Sequence, residues 1–334
     1  YTAQEPAGEP GVPPWERGMN PEQAAVIAHV HGALRVPAKA GTGKTRALVN
    51  RIARLVRVEG VDPKRILACT FSKKAADEMN DRLRELGVAR ARVGTFHSLA
   101  LNTIMREVPA LKGYDVDDRD RYHGVVKDAL GFRGIDWKAA DLTVVSNWIG
   151  RCKAQPHRAG TDGAKLFAEA FHAQRPCQQR DPGLLAAAYA AAEEMRVSRR
   201  LLTFDDMLVE LAELLRTDEE ARGRIAAQWD YVLQDEGQDE NPVQGIIASE
   251  LSRDHRNYMV VGDVAQSIYH FRGADPKRMI GFESEWSASV VRMHRNYRCG
   301  AAIVRAANGV LRAMEPGTHL GVELRAELPH EGDV

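Results

Sequence analysis

At 334 residues the chain has room for about two domains with real cores, which excludes a small stapled scaffold. Its 46 basic and 46 acidic residues cancel, so any polyanion has to be gripped by local patches rather than by overall charge. Four scattered cysteines, Cys69, Cys152, Cys177 and Cys299, exclude a disulfide framework and point to a reducing cytoplasm, and no apolar run approaches the roughly 20 residues of a bilayer span.

Residues 1–18, with Pro6, Pro10, Pro13 and Pro14 among several glycines, cannot bury enough surface to order themselves and read as a tail. The first residue is Tyr1 rather than methionine, so the chain reads as a fragment whose ends need not be natural ones. Asn20-Pro21-Glu22-Gln23 starts a helix, with Asn20 as N-cap and Pro21 in the first turn. Apolar runs at 34–37, 66–69, 231–233 and 259–261 come next, each ending in turn-forming or acidic residues as buried parallel strands do. Between 105 and 200 this rhythm lapses into helical sequence, Ala-rich at 184–195, which predicts an inserted helical subdomain. Cys152, His157, His172 and Cys177 fall there, but their spacing matches no usual zinc pattern. A strand at 290–293 and a helix at 301–314 predict the start of another unit. The expected organisation is a tail at 1–18, an α/β domain at 19–104 and 201–285, a helical insertion at 105–200, and an incomplete second domain at 286–334.

The chemistry concentrates in two segments. Ala38-Lys39-Ala40-Gly41-Thr42-Gly43-Lys44-Thr45 lies between a predicted strand and a predicted helix, the context of a phosphate-binding loop, although Ala38 stands where the strict pattern has glycine. Gly41 and Gly43 let backbone N–H groups turn inward around phosphates, Lys44 reaches the outer ones, and the Thr45 hydroxyl suits Mg2+. The matching half is Tyr231-Val232-Leu233-Gln234-Asp235-Glu236-Gly237-Gln238-Asp239, a strand ending in acids. Asp235 would hold the metal and Glu236 would orient or deprotonate the attacking water.

With both segments in place, the chain resembles a superfamily-one helicase of the UvrD/Rep/PcrA type over about residues 19–310. The resemblance implies a RecA-like P-loop NTPase fold with a parallel sheet, binding ATP and Mg2+. Asn20-Pro21-Glu22-Gln23 is similar to the adenine-reading motif, in which Gln23 would bond the base. Thr70-Phe71-Ser72-Lys73 and Gly94-Thr95-Phe96-His97-Ser98 resemble the first two DNA-contacting blocks, and Thr203-Phe204-Asp205-Asp206 resembles the segment preceding the acids. Gly262-Asp263-Val264-Ala265-Gln266-Ser267-Ile268-Tyr269-His270-Phe271-Arg272 resembles the block that couples nucleotide to DNA, with Gln266 sensing the terminal phosphate. In Asn296-Tyr297-Arg298, Tyr297 would stack on adenine and Arg298 would reach the terminal phosphate, completing a catalytic set of Lys44, Asp235, Glu236, Gln266 and Arg298. Ala40, Gly41, Thr42, Gly43, Lys44, Thr45 and Arg46 would border the nucleotide. Phe71, Ser72, Thr95, Phe96, His97, Tyr269, Phe271 and Arg272 would face DNA, where rings stack on unpaired bases without sequence preference.

The sequence departs from that pattern in places. Lys39 stands where the family commonly has glycine and is read as an added phosphate or DNA contact. Gln234 interrupts an apolar strand and Gly237 replaces a larger residue, which puts the packing of the acidic strand in question. Lys73 replaces asparagine and Cys299 replaces serine. The family's later motifs, one of which carries a second arginine, are not found before Val334, so this chain by itself is expected to hydrolyse and unwind poorly. The resemblance implies a 3′ to 5′ helicase and single-stranded DNA translocase of repair or replication, acting at single-strand to duplex junctions. The alternatives are the helicase module of a helicase–nuclease complex and a non-motor, ATP-switched DNA-binding module.

Overall fold

The computed structural model describes residues 13–117, 119–136, 141–270, 273–314 and 320–328. Four strands, β1 (Leu34–Pro37), β2 (Ile66–Cys69), β6 (Tyr231–Gln234) and β7 (Tyr258–Gly262), are buried along their whole length. Such strands need cover on both faces, which only a parallel sheet with flanking helices supplies. With β3 (Arg92–Gly94) and β8 (Ser289–Val290) they form a parallel sheet in the order β3-β2-β6-β7-β1-β8.

Side chains alternate across this sheet. Ile66, Ala68, Met259 and Val261 enter one core with Val26 of α1 (Pro21–Ala28), Leu48 and Ile52 of α2 (Lys44–Arg57) and Met79 of α3 (Lys73–Glu85). Leu67, Cys69, Tyr258 and Val260 enter the other, against α4 (Phe96–Glu107), α9 (Phe204–Thr217), α11 (Pro242–Ser252) and α12 (Lys277–Trp286). Capping side chains explain where many of these helices begin. Asn20, Thr95, Thr203 and Asn241 each form a reciprocal capping box, and Ser72 caps α3.

The chain leaves this layer only past the expected break at 104, since Leu111 still lies in the sheet core and Tyr114 packs against it. Strand β4 (Asp115–Asp117) pairs in parallel with β5 (Leu201–Thr203), so entry to and exit from the insertion lie side by side. Between them α5 (Arg119–Phe132), α6 (Leu142–Ala154), α7 (Asp162–Gln174) and α8 (Pro182–Ser198) close on their own core of Val126, Trp148, Ile149 and Leu185. The remaining described helix of the sheet domain is α10 (Glu219–Ala226). A buried charged cluster fastens the insertion to the sheet layer. Lys153 on α6 lies 2.7 Å from Glu193 of α8 and 2.7 Å from Asp206 of α9, and Arg196 approaches Asp206 at 3.3 Å.

Two expectations are corrected. The run at 290–293 does not open a new unit. Val290 pairs with Arg35, the Val291 N–H donates to Arg35 O, and Met293 is buried with Val36. An apolar run does not say which sheet it joins, and here an open edge beside β1 was available. Past this strand lies a separate small unit in which β9 (Arg295–Asn296) pairs in parallel with β10 (Arg325–Ala326) and α13 (Ala301–Ala313) connects them. The reading of 1–18 as a tail also fails in part. Trp15 packs against the first core, because one large ring buries enough surface to anchor a Pro-rich segment, whereas residues 1–12 lie outside the described ones. No helix among the described residues is long and apolar enough to cross a membrane.

Candidate active site and adjoining cleft

The loop between β1 and α2 is held by its carbonyls. Thr42 Oγ1 donates to Lys39 O at 2.8 Å, Asn296 Nδ2 to Ala40 O at 2.8 Å, the Tyr297 N–H to Gly41 O at 2.9 Å, and Gln23 Nε2 to Thr42 O at 2.9 Å. With three of these four acceptors satisfied from outside the loop, and apart from the Thr42 N–H, which approaches Lys39 O at 3.4 Å, N–H groups of the loop and of the first turn of α2 can be offered to an anion. Gly41 and Gly43 adopt φ of 74° and 84°, where side chains are disfavoured. A Cβ at Gly41 would lie 2.7 Å from Asn296 Nδ2, and one at Gly43 2.6 Å from Gln23 Nε2.

Gln23 owes its position to α1. Its N–H donates to Asn20 Oδ1 at 2.8 Å, and Asn20 Nδ2 donates to Tyr297 Oη at 2.9 Å, so the helix start, the loop and Tyr297 meet at one point. The Tyr297 ring is 45% exposed beside them. Arg298 is also exposed, with its Cβ 2.8 Å from where a Cβ on Gly41 would be. Thr45 is half-buried in the first turn of α2. Arg46 behaves differently: its guanidinium is exposed and donates to Arg17 O at 3.0 Å, a helix-surface contact with the N-terminal segment.

Strand β6 delivers the acids. Asp235 is 6% exposed, and its carboxyl is pushed up to about 6, first by burial and then by Glu236. Glu236 sits in the left-handed region at φ 51°, ψ 46°, a conformation that costs a non-glycine residue about 1–3 kcal/mol. Two bonds to one carboxylate oxygen help hold it there, from Lys44 Nζ at 2.7 Å and Gln238 Nε2 at 2.8 Å. Asp239 is likewise raised to about 6, by burial and then by Glu236. The doubts over this strand resolve in the packing. Gln234 Oε1 accepts from Tyr258 Oη at 2.6 Å, so its polar end is satisfied inside. Gly237 leaves room for Val260, whose Cγ1 would be 2.3 Å from an added Cβ. Lys39 does not reach out to phosphate or DNA as expected. It is buried, with Nζ 2.8 Å from Asp263 Oδ1, because a carboxylate lies within reach inside the fold. Asp263 Oδ2 in turn accepts from Gln266 Nε2.

Asp235 and Glu236 open onto a cleft of about 800 Å³ that also contains Phe71, Ser72, Thr95, His97 and Tyr269. Phe71 is 41% exposed, and its ring lies 4.7 Å from that of Tyr269 at 30°. His97 meets Phe204 edge-on at 5.8 Å, and burial lowers the imidazole pKa, favouring its neutral form. Ser72 and Thr95 use their hydroxyls as helix caps, which brings the starts of α3 and α4 to the cleft wall. Phe96 also lines this cleft, but at 5% exposure most of its ring packs in the sheet core, since the first residue of α4 points inward once Thr95 is the cap. Phe271 and Arg272 lie outside the described residues. The far wall is contributed by the insertion, through His123, Asn147 and Arg151. Those residues, Phe204, Asn20 and Gln238 were not singled out from the sequence as site residues. Asn20, Phe204 and Gln238 lay inside recognised blocks, whereas nothing local marks the insertion residues.

A glycine loop opening a helix beside an acid-ended strand of a parallel sheet defines a P-loop nucleotide-binding protein of α/β class. Residues 19–287 match the UvrD/REP helicase N-terminal domain, and the chain belongs to that family. It is 33% identical over 305 residues to the ATP-dependent DNA helicase PcrA of Leuconostoc citreum, an alignment covering 88% of this chain and 39% of that protein. The PcrA proteins of Staphylococcus epidermidis (31% over 303 residues, 89% and 40% covered) and Staphylococcus aureus (31% over 301 residues, 88% and 40% covered) are similar to the same extent. The chain thus spans about two fifths of the length of these relatives.

Proposed function

We propose that this chain is the nucleotide-binding portion of an ATP-dependent DNA helicase that moves 3′ to 5′ along single-stranded DNA and works at junctions with duplex. On this reading residues 19–293 form the first motor domain with its helical insertion, and the β9–α13–β10 unit begins the second. The observation that carries the proposal is the shared cleft: Asp235 and Glu236 line the same hollow as Phe71 and Tyr269.

Adenine would lie against Tyr297 and bond to Gln23, and the phosphates would occupy the loop. Lys44 is neutralised by Glu236 at 2.7 Å, so arriving phosphates compete for the lysine and draw it off. That exchange releases the Glu236 carboxylate to accept a proton from water, which ties the base to the presence of substrate. Magnesium fits the donor set, since the Thr45 hydroxyl and the buried Asp235 carboxyl are hard oxygen ligands and Mg2+ takes its remaining ligands from phosphate and water. The ion would screen charge on the transferring phosphoryl group. Gln266 and Arg298 would approach the terminal phosphate from the other side. The starts of α3 and α4 favour the DNA backbone phosphates, and the paired rings accept bases of any sequence.

The test is ATP hydrolysis by the full-length protein with and without a single-stranded oligonucleotide. Stimulation of about tenfold or more is expected, in line with typical coupling energies. Turnover indifferent to DNA would contradict the proposal, and a fluorescent duplex with either a 3′ or a 5′ tail tests the polarity.

A further inference from the structure

We propose that Lys39 is a positioning residue for ATP hydrolysis, acting through Asp263 to hold the side-chain amide of Gln266. The inference rests on the reading above, in which ATP is hydrolysed here and Gln266 faces its terminal phosphate.

Lys39 and Asp263 are 224 residues apart in sequence and almost completely buried, with Nζ 2.8 Å from Oδ1. The lysine occupies one carboxylate oxygen, and the Ala265 N–H approaches the same oxygen at 3.2 Å. Oδ2 remains for Gln266, and a carboxylate only accepts, so Gln266 must present its NH2 group to it. One N–H and the carbonyl oxygen of Gln266 are then left for a phosphate oxygen and a water. Asp263 is fixed from a second direction, because its main-chain N–H donates to Gln238 Oε1 at 2.9 Å and Gln238 Nε2 bonds Glu236 at 2.8 Å. Glu236 holds Lys44. The result is a closed circuit from the phosphate loop through Lys39, Asp263, Gln238 and Glu236 back to Lys44. A glycine at position 39 would leave this circuit open: Asp263 would keep its main-chain link through Gln238 and Glu236 to Lys44, but no loop side chain would hold its carboxylate.

The test uses Lys39→Met in the full-length protein with saturating single-stranded DNA. The kcat for ATP is expected to fall about tenfold with KM within about twofold, because a displaced catalytic contact affects turnover more than binding. Lys39→Met leaves a buried carboxylate alone and is liable to misfold, so Lys39→Met combined with Asp263→Asn removes both charges. Its thermal stability should return towards that of the unaltered protein while kcat stays low, since the side chain at position 263 then has no ionic tie to the loop. Recovery of kcat together with stability would overturn the proposal. In a Gln266→Ala background the same substitutions should cause no further loss, and a further tenfold loss would also overturn it. If Gln266→Ala alone left kcat unchanged, the assignment of Gln266 would fail, and the inference with it.

Discussion

Around the glycine loop the carbonyls of residues 39–42 all have fixed partners, and the neighbouring acid is held in a strained backbone conformation by two bonds. The cleft beyond it is walled differently, by ring faces, helix starts and an insertion fastened through a buried charged cluster. The contrast reflects the ligand each region would hold. Phosphoryl transfer needs a few atoms in one geometry, so its site is over-determined. A groove for bases of any sequence needs surfaces that several arrangements satisfy. Substitutions in the first region should therefore act on rate, and those in the second on affinity or rigidity.

The largest effect is expected from Glu236→Gln. Hydrolysis should drop about 10²–10⁴-fold, the usual worth of a general base, while ATP affinity holds or improves because Lys44 loses its competing partner. Equal losses of binding and turnover, measured with a fluorescent nucleotide and a phosphate-release assay, would show that Glu236 acts on binding instead. Next comes Lys153→Met on the cleft's far wall. It removes one of the two cations that Glu193 and Asp206 share in this buried cluster and leaves Arg196 alone against both, a change that costs up to about 3–5 kcal/mol, so thermal unfolding should shift downwards. An unchanged melting temperature would mean the cluster does not fasten the insertion. Tyr269→Ala should weaken single-strand binding by about 1–3 kcal/mol, roughly 5- to 150-fold, while ATP affinity without DNA stays put.

The smallest effect is a pH dependence. The Asp235 carboxyl is raised to about 6, mainly by burial. A carboxyl raised above its unfolded value stabilises the metal-free fold at low pH and loses that contribution as pH rises through about 6. Magnesium requires the ionised form, so its affinity in the presence of ADP should rise over the same interval and fall by up to about tenfold per pH unit below it. A flat profile between pH 5 and 7, as an experimental range, would place the metal elsewhere.

Much of this fold could be read from contiguous segments. The buried strands were apolar runs, and Asn20 and Pro21 marked the start of α1 as capping chemistry requires. The loop and the acids lay within short motifs, because glycine freedom, a lysine and paired carboxylates are needed close together. What escaped depended on partners far away in sequence. Lys39 meets Asp263, Gln234 meets Tyr258, and Gly237 makes room for Val260, none of which a local pattern reveals. Phe71 and Phe96 look alike in sequence and both line the cleft, yet one ring is 41% exposed in a loop while the other, at 5%, occupies the first turn of a helix whose inward face belongs to the core. The fate of 290–293 was decided by the vacant edge of β1, a fact about the assembled sheet.

The nucleotide site and the cleft proposed for DNA meet at Asp235 and Glu236, so the two ligands should influence each other's binding. The direct measurement is single-strand affinity with and without a non-hydrolysable ATP analogue, paired with analogue affinity with and without the strand. The same factor is expected in both directions, about 5- to 150-fold, abolished by Lys44→Ala. Independent binding of the two ligands in the unaltered protein would contradict it.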